Sequence, residues 1–321
     1  MNRQTANPPH PNLTFIGHIS IDKIENINGT KTQPGGAALY AAIAAKALNL
    51  KPAIVSAIGK DFPYTDSFDS LDSTYIKKFN MPTTRFHIRY SKNWEANYLE
   101  AHINAGARIA TVQIPQKLLT PQSIIHLSPM SPTKVAKIVD RVKQMSPSTK
   151  IALSTWVGYM KEPRNRRLLT KLASVVDFFM LNESEAKTLT QTSSLSMALE
   201  KIKAPKLVVT MGKLGAIISG TNVDPQIIPA LTVPTNKTID TTGAGDAWNG
   251  AFLATYITTE DLMKSVTVAS VISSIKCSQW GFKALQKLSF QKPSDVVEHI
   301  VALKEGSMQK KITDFKMPKM Q

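Results

Sequence analysis

The segment richest in chemistry is Ile239 to Leu253, IDTTGAGDAWNGAFL. Trp248, Ala251, Phe252, Thr255 and Tyr256 keep helical spacing, which predicts a helix with Asp246 in its first turn. Gly243 and Gly245 carry no side chain just where that helix begins, so the backbone N–H groups of Gly243, Ala244, Gly245 and Asp246 can approach an anion closely. The helix dipole adds positive potential. Such an anion hole suits the charge on a transferring phosphoryl group, with the Asp246 carboxylate placed where an acceptor hydroxyl would lie. A carboxylate at a helix N-terminus is expected to stay ionised, which is adequate for a loose transition state. The structural alternative is a tight turn and a carboxylate that only complements the dipole. A dinucleotide fingerprint is opposed by Trp248 at the position of the third glycine, and no GxxxxGK[ST] supports a P-loop.

These residues need a scaffold. Short apolar runs alternate with helical patterns, the signature of βαβ units and a mostly parallel sheet covered on both faces. Expected strands are Leu13 to Gly17, Ala53 to Ala57, Ile124 to Leu127, Ile151 to Ser154, Asp177 to Leu181 and Leu207 to Thr210. The helix Ala37 to Leu48 is apolar nearly all round and should be buried. Two segments look antiparallel instead: Lys23 to Pro34, with a tight turn at Asn28-Gly29, and Arg85 to Ile103, with a turn at Ser-Lys-Asn. A small β-sheet standing off the main body accounts for both. Residues 1–11 and the basic stretch 307–321 read as flexible tails around one domain, 12–306.

With 321 residues, 42% of them hydrophobic, the chain can bury a large core. No apolar stretch spans a bilayer and the first residues lack a signal segment, so a cytoplasmic setting is expected. The single cysteine, Cys277, closes an apolar run and reads as a buried small hydrophobe. The net charge of +16 favours polyanions, but the basic residues fall mostly where solvated helix faces are expected, so nucleic acid is the minor reading.

DTTGAGD followed by NGAFL resembles the C-terminal signature of the ribokinase (PfkB) family at every position. The other landmarks follow in order: GHISID at 17–22, GG at 35–36, NESE at 182–185 and TMGKLG at 210–215. The similarity runs from about Leu13 to about Ala302. It implies a ribokinase-like α/β fold and an ATP- and Mg²⁺-dependent kinase acting on a hydroxyl of a sugar or polyol. A nucleoside kinase of the same family is the alternative, and a non-catalytic nucleic-acid- or partner-binding protein the reading from another class.

By that resemblance Asp246 is the catalytic base and Gly243, Ala244 and Gly245 form the anion hole. Asn182 and Glu185 match the NxxE element that organises Mg²⁺ through waters. The same pair is also a capping box, which needs no ligand. Thr210, Gly212 and Gly215 resemble the wall of the ATP site, although alone they are a strand and a loop. Asp240 and Thr242 occupy positions that in several members help bind a monovalent cation, usually K⁺. Asp22 matches the acceptor-binding aspartate, with Ser20 in place of an asparagine. Gly35 and Gly36 open the first helix beside the acceptor. Ala37 and Tyr40 depart from ribokinase itself, which argues against ribose, and Tyr40 would offer the acceptor an aromatic face. The small sheet corresponds to a lid, residues 22–34 and 82–113, that excludes water, and a homodimer through it is the expected assembly. Within it Arg85, Arg89 or Lys92 would meet an anionic acceptor or face solvent, and Trp94 and Tyr98 would face the acceptor or pack the lid.

Overall fold

The computed structural model describes residues 13–109, 114–221, 223–231 and 237–302. Both expected tails, and residues 110–113 of the expected lid, fall wholly or partly outside them.

Thirteen strands are assigned among these residues: β1 (Leu13–Ile16), β2 (Ser20–Asn26), β3 (Gly29–Gly35), β4 (Ala53–Gly59), β5 (Ile76–Phe79), β6 (Thr84–Tyr90), β7 (Ala96–His102), β8 (Ile124–Leu127), β9 (Lys150–Ser154), β10 (Phe178–Asn182), β11 (Leu207–Thr210), β12 (Ala216–Gly220) and β13 (Val223–Ile228). The helices are α1 (Ala37–Lys46), α2 (Pro132–Met145), α3 (Pro163–Ala173), α4 (Glu183–Thr190), α5 (Leu195–Lys201), α6 (Ala244–Thr259), α7 (Leu262–Lys276) and the short α8 (Lys283–Gln286). Nine strands form one sheet in the order β13-β12-β11-β10-β9-β8-β1-β4-β5. It is parallel from β11 to β5, and β12 and β13 close one edge antiparallel.

Alternate residues of each central strand feed two separate cores. Phe178, Met180 and Val208 pack with α1, α6 and α7 on one face, and Phe179, Leu181 and Val209 pack with α2 and α3 on the other. Burial on both faces is why these strands read as unbroken apolar runs. Helix α1 buries every residue from Ala38 to Ala45, as its composition predicts. It meets α6 so closely that a Cβ at Gly250 would stand 2.1 Å from the Ala41 carbonyl oxygen.

The second sheet has the order β3-β2-β6-β7. Its two hairpins are antiparallel, as expected, but they join through a parallel pairing of β2 with β6 that matches Asp22 to Phe86. The chain enters it directly from β1, so the small sheet stands over the carboxyl edge of the large one. No helix among the described residues is long and apolar enough to cross a membrane. Cys277 caps α7 and is half-buried rather than sunk in the core.

Candidate active site

A cleft of about 540 Å³ opens between the small sheet and the carboxyl ends of β1, β9, β10 and β11. Open α/β sheets bind ligands at such an edge. Asp22, Gly36, Tyr40, Asn182, Glu185, Thr210, Thr242, Gly243, Ala244, Gly245 and Asp246 all border it.

The turn before α6 is built by packing as well as by sequence. Gly243 is its N-cap at φ 70°, and a Cβ there would lie 2.4 Å from the Tyr40 ring. Both facts require glycine. Nothing stands within 4 Å of a Cβ at Gly245, so that side of the turn is open. The Ala244 N–H donates to the Thr241 carbonyl at 3.0 Å, whereas those of Gly243, Gly245 and Asp246 have no acceptor among the described residues. Three of the four amides that the sequence offers to an anion are therefore free, and that of Ala244 is not. Trp248 stacks on Phe252 at 5.2 Å and donates to Ser270, a packing role.

Asp246 sits in the first turn of α6. Its carboxyl is raised to about 6, because desolvation by the cleft walls outweighs the pull of Lys276. It is still mostly ionised at neutral pH, by a narrower margin than a solvated carboxylate at a helix N-terminus would have. Asp22 is 3% exposed, and its Oδ1 has no hydrogen-bond partner. Burial raises it to about 7, opposed by the nearby Ser20 hydroxyl and reinforced by Asp240 and Asp246. Its neighbour Gly35 leaves the room this carboxylate occupies, while Gly36 is the N-cap of α1.

Asn182 ends β10 beside Thr210 of β11. Its Oδ1 accepts from the Glu185 N–H, and its own N–H donates to Glu185 Oε2, each at 2.9 Å, so the capping box is present. Glu185 is 8% exposed and still borders the cleft. Burial, with a contribution from Asp246, raises it to about 8 against hydrogen bonds from the Asn182 and Val157 backbone. Among the described residues no three His, Cys, Asp or Glu side chains converge as a metal cage. The donor set nonetheless suits a hydrated Mg²⁺, which needs few protein ligands: Glu185 is a buried carboxylate without a cation, facing the same cleft as Asp246.

Some of the expected residues lie apart from the cleft, and others are packed into its wall. Gly212 and Gly215 shape the loop after β11, where a Cβ at Gly215 would strike the Ile228 carbonyl oxygen at 2.1 Å. Tyr40 is not the open aromatic face expected of it. It is 1% exposed, lies under Gly243 and accepts a hydrogen bond from Gln33 at 3.3 Å. Asp240 is fully buried beside Lys276. Arg85 pairs with Asp61 at 2.7 Å and Arg89 with Glu25 at 2.8 Å, outside the cleft, and Lys92 is exposed. Tyr98 borders the cleft, whereas Trp94 lies beyond it against Tyr90.

Sequence reasoning missed His18 and the body's share of an aromatic wall. His18 is buried with its Nδ1 unpartnered, and burial, aided by Lys134, lowers it to about 4, so it is neutral. Phe86 and Tyr98 of the small sheet meet Trp156 and Tyr159 of the large body, with Tyr98 and Trp156 4.9 Å apart. Trp156 follows the end of β9 at the carboxyl edge, a position that could have flagged it.

The pfkB family carbohydrate kinase model matches residues 12–286. The chain belongs to the pfkB family. Members are phosphotransferases acting on hydroxyl groups, and this chain is such a kinase. It is 28% identical over 279 residues to a cytidine kinase of Thermococcus kodakarensis, covering 84% of this chain and 97% of that one. In fold it is similar to the adenosine kinase of Sinorhizobium meliloti, with a TM-score of 0.73 at 16% identity over 86% of this chain and 97% of the other. A putative ribokinase II from E. coli, in complex with ATP and Mg²⁺, gives a TM-score of 0.70 at 18% identity over 90% and 98%.

Proposed function

We propose that this kinase transfers the γ-phosphate of ATP to a ribose hydroxyl of a nucleoside. The observation that carries this reading is the cleft lining, in which Asp22, paired in register with Phe86, shares one cavity with Phe86, Tyr90, Tyr98, Trp156 and Tyr159. A buried carboxylate accepts from neighbouring sugar hydroxyls, and aromatic rings stack on a base. Among the described residues Lys161 is the one Lys or Arg bordering the cleft, and His18 is neutral, which favours an uncharged acceptor over a sugar phosphate. The cytidine kinase likeness points the same way.

In this reading Asp22 and His18 hold the sugar so that one hydroxyl reaches Asp246. Asp246 takes the hydroxyl proton as the oxygen bonds to the γ-phosphorus, and the bond from that phosphorus to the β,γ-bridging oxygen breaks to release ADP. The free amides of Gly243, Gly245 and Asp246, at the positive end of α6, stabilise charge on the phosphoryl oxygens. Asn182 and Glu185 would hold hydrated Mg²⁺, which when bound neutralises phosphate charge. Thr210, at the carboxyl end of β11, flanks the nucleotide. The small sheet, in contact with the body through Tyr98 and Trp156, keeps water from the transfer.

The test is ADP release from ATP and Mg²⁺ with a panel of nucleosides, free sugars and inositols. Stimulation by nucleosides and not by ribose is expected. Stimulation by a free sugar alone contradicts the nucleoside reading.

A further inference from the structure

Lys276 is the last residue of α7 and its side chain is 0% exposed. A buried lysine is uncommon unless paired. Its Nζ donates to the Asp240 carbonyl oxygen at 2.7 Å, lies 3.5 Å from Asp240 Oδ2, and stands over the Tyr40 ring at 5.3 Å. A carbonyl oxygen, a carboxylate oxygen and an aromatic face together make a cation site.

The Asp240 carboxylate is already engaged on both oxygens. Oδ1 accepts from the Thr242 N–H at 2.8 Å, and Oδ2 accepts from Gln33 Nε2 at 3.0 Å and the Gly281 N–H at 2.9 Å, besides facing Lys276. The buried hydroxyls of Thr241 and Thr242 have no partner, but a K⁺ at Asp240 and Thr242, as the family resemblance suggests, would set its charge beside the buried Lys276 ammonium, so the residues present fit it poorly. The same contacts fix the turn that forms the anion hole. The N–H groups of Ile239 and Asp240 donate to the Cys277 carbonyl at the end of α7, and Ser273 donates to the Ala244 carbonyl at 2.9 Å. Lys276 thus joins α7 to the turn from Asp240 to Gly243, which borders the cleft through Thr241, Thr242 and Gly243.

We propose that the Lys276 ammonium stands where a monovalent cation would sit, holding the Asp240–Gly243 turn in place, so that this kinase works without K⁺. The inference rests on the phosphoryl-transfer reading of that turn. Lys276 is a positioning residue: it borders neither acceptor nor nucleotide, but its charge reaches Asp246. Its own proton affinity is drawn down by burial and back up by Asp240, while Asp240, against its burial, is held below the usual carboxylate range by Lys276 and its hydrogen bonds.

The experiment compares KCl with choline chloride at equal ionic strength, by thermal melting of the ligand-free protein and by turnover. For the wild type both are expected to be the same in the two salts, turnover within about twofold. Lys276→Ala opens a space for a small cation. It should lose about tenfold or more in kcat in choline, and K⁺ or methylammonium should restore part of that loss and raise its melting temperature. A wild type that melts higher in K⁺ than in choline, or is stimulated severalfold by K⁺, overturns the proposal, as does a folded Lys276→Ala variant fully active in choline. If the variant does not fold, the wild-type salt comparison decides. The melts need no turnover, so they separate failure of this inference from failure of the phosphoryl-transfer reading.

Discussion

A Cβ at Gly35 would stand 1.8 Å from Asp22 Oδ2, so the glycine exists to let the carboxylate lie against the backbone of the neighbouring strand. Ser20 pairs with Gly35 across β2 and β3, and the carboxylate leans over that pair. Gly35→Ala should push Asp22 out of line while leaving the nucleotide end alone. Steady-state kinetics should give an acceptor KM at least about tenfold higher and an ATP KM within about twofold of wild type. Equal changes in both would mean that Gly35 serves the fold and not the acceptor.

The raised proton affinities of Asp22, Asp246 and Glu185 have a consequence for stability. Each folded-state value, about 7, 6 and 8, lies above that of an unfolded carboxyl. The stability they contribute is present below about pH 4 and is lost as pH rises through the folded values, so at pH 8 the ligand-free site is electrostatically unfavourable. Asp22→Asn should therefore melt higher than wild type at pH 8, by roughly 2 °C or more, with a smaller difference at pH 5. Calorimetry at the two pH values checks this. A lower melting temperature at pH 8 would show that the carboxylate is satisfied in the free protein.

Glu185 combines a cap and a proposed Mg²⁺ contact. Glu185→Gln can still accept from the Asn182 N–H but carries no charge. The Mg²⁺ concentration for half-maximal rate should rise several-fold, with the melting temperature at neutral pH unchanged or higher. An unchanged Mg²⁺ requirement with a lower melting temperature would leave Glu185 as a cap alone.

The aromatic wall gives the acceptor test its sharpest form. Base stacking is worth about 1–3 kcal/mol per base by alanine substitution. Trp156→Ala should raise the KM for a nucleoside about 5- to 150-fold and leave any weak reaction with a free sugar nearly unchanged. Equal losses for both acceptors would place Trp156 in lid packing only.

Much of this was legible in the sequence because both faces of the large sheet are buried and because the turn at Gly243 needs its glycines. The six expected strands each occur within a few residues of their predicted ends. Edge strands were harder. β5, IKKF, has two exposed lysines at its centre and none of the apolar run that marks a central strand. Lys276 was invisible for another reason: a lysine on a helix reads as solvated, and only the folded chain brings it to Asp240, 36 residues away in sequence. The aromatic wall is assembled from β6, β7 and the segment after β9, which no local pattern links.

The central claim, that Asp246 is the base for phosphoryl transfer, is tested most directly by the turnover of Asp246→Asn against pH, beside direct measurement of ATP binding. The wild-type kcat/KM for the acceptor should rise between pH 5 and 7 with a midpoint near the value of about 6 that burial gives Asp246. The variant should lose about 10²- to 10⁴-fold in kcat and lose that pH dependence, with ATP affinity nearly intact because the backbone amides remain. Turnover within about threefold of wild type, with the same pH profile, would contradict the assignment.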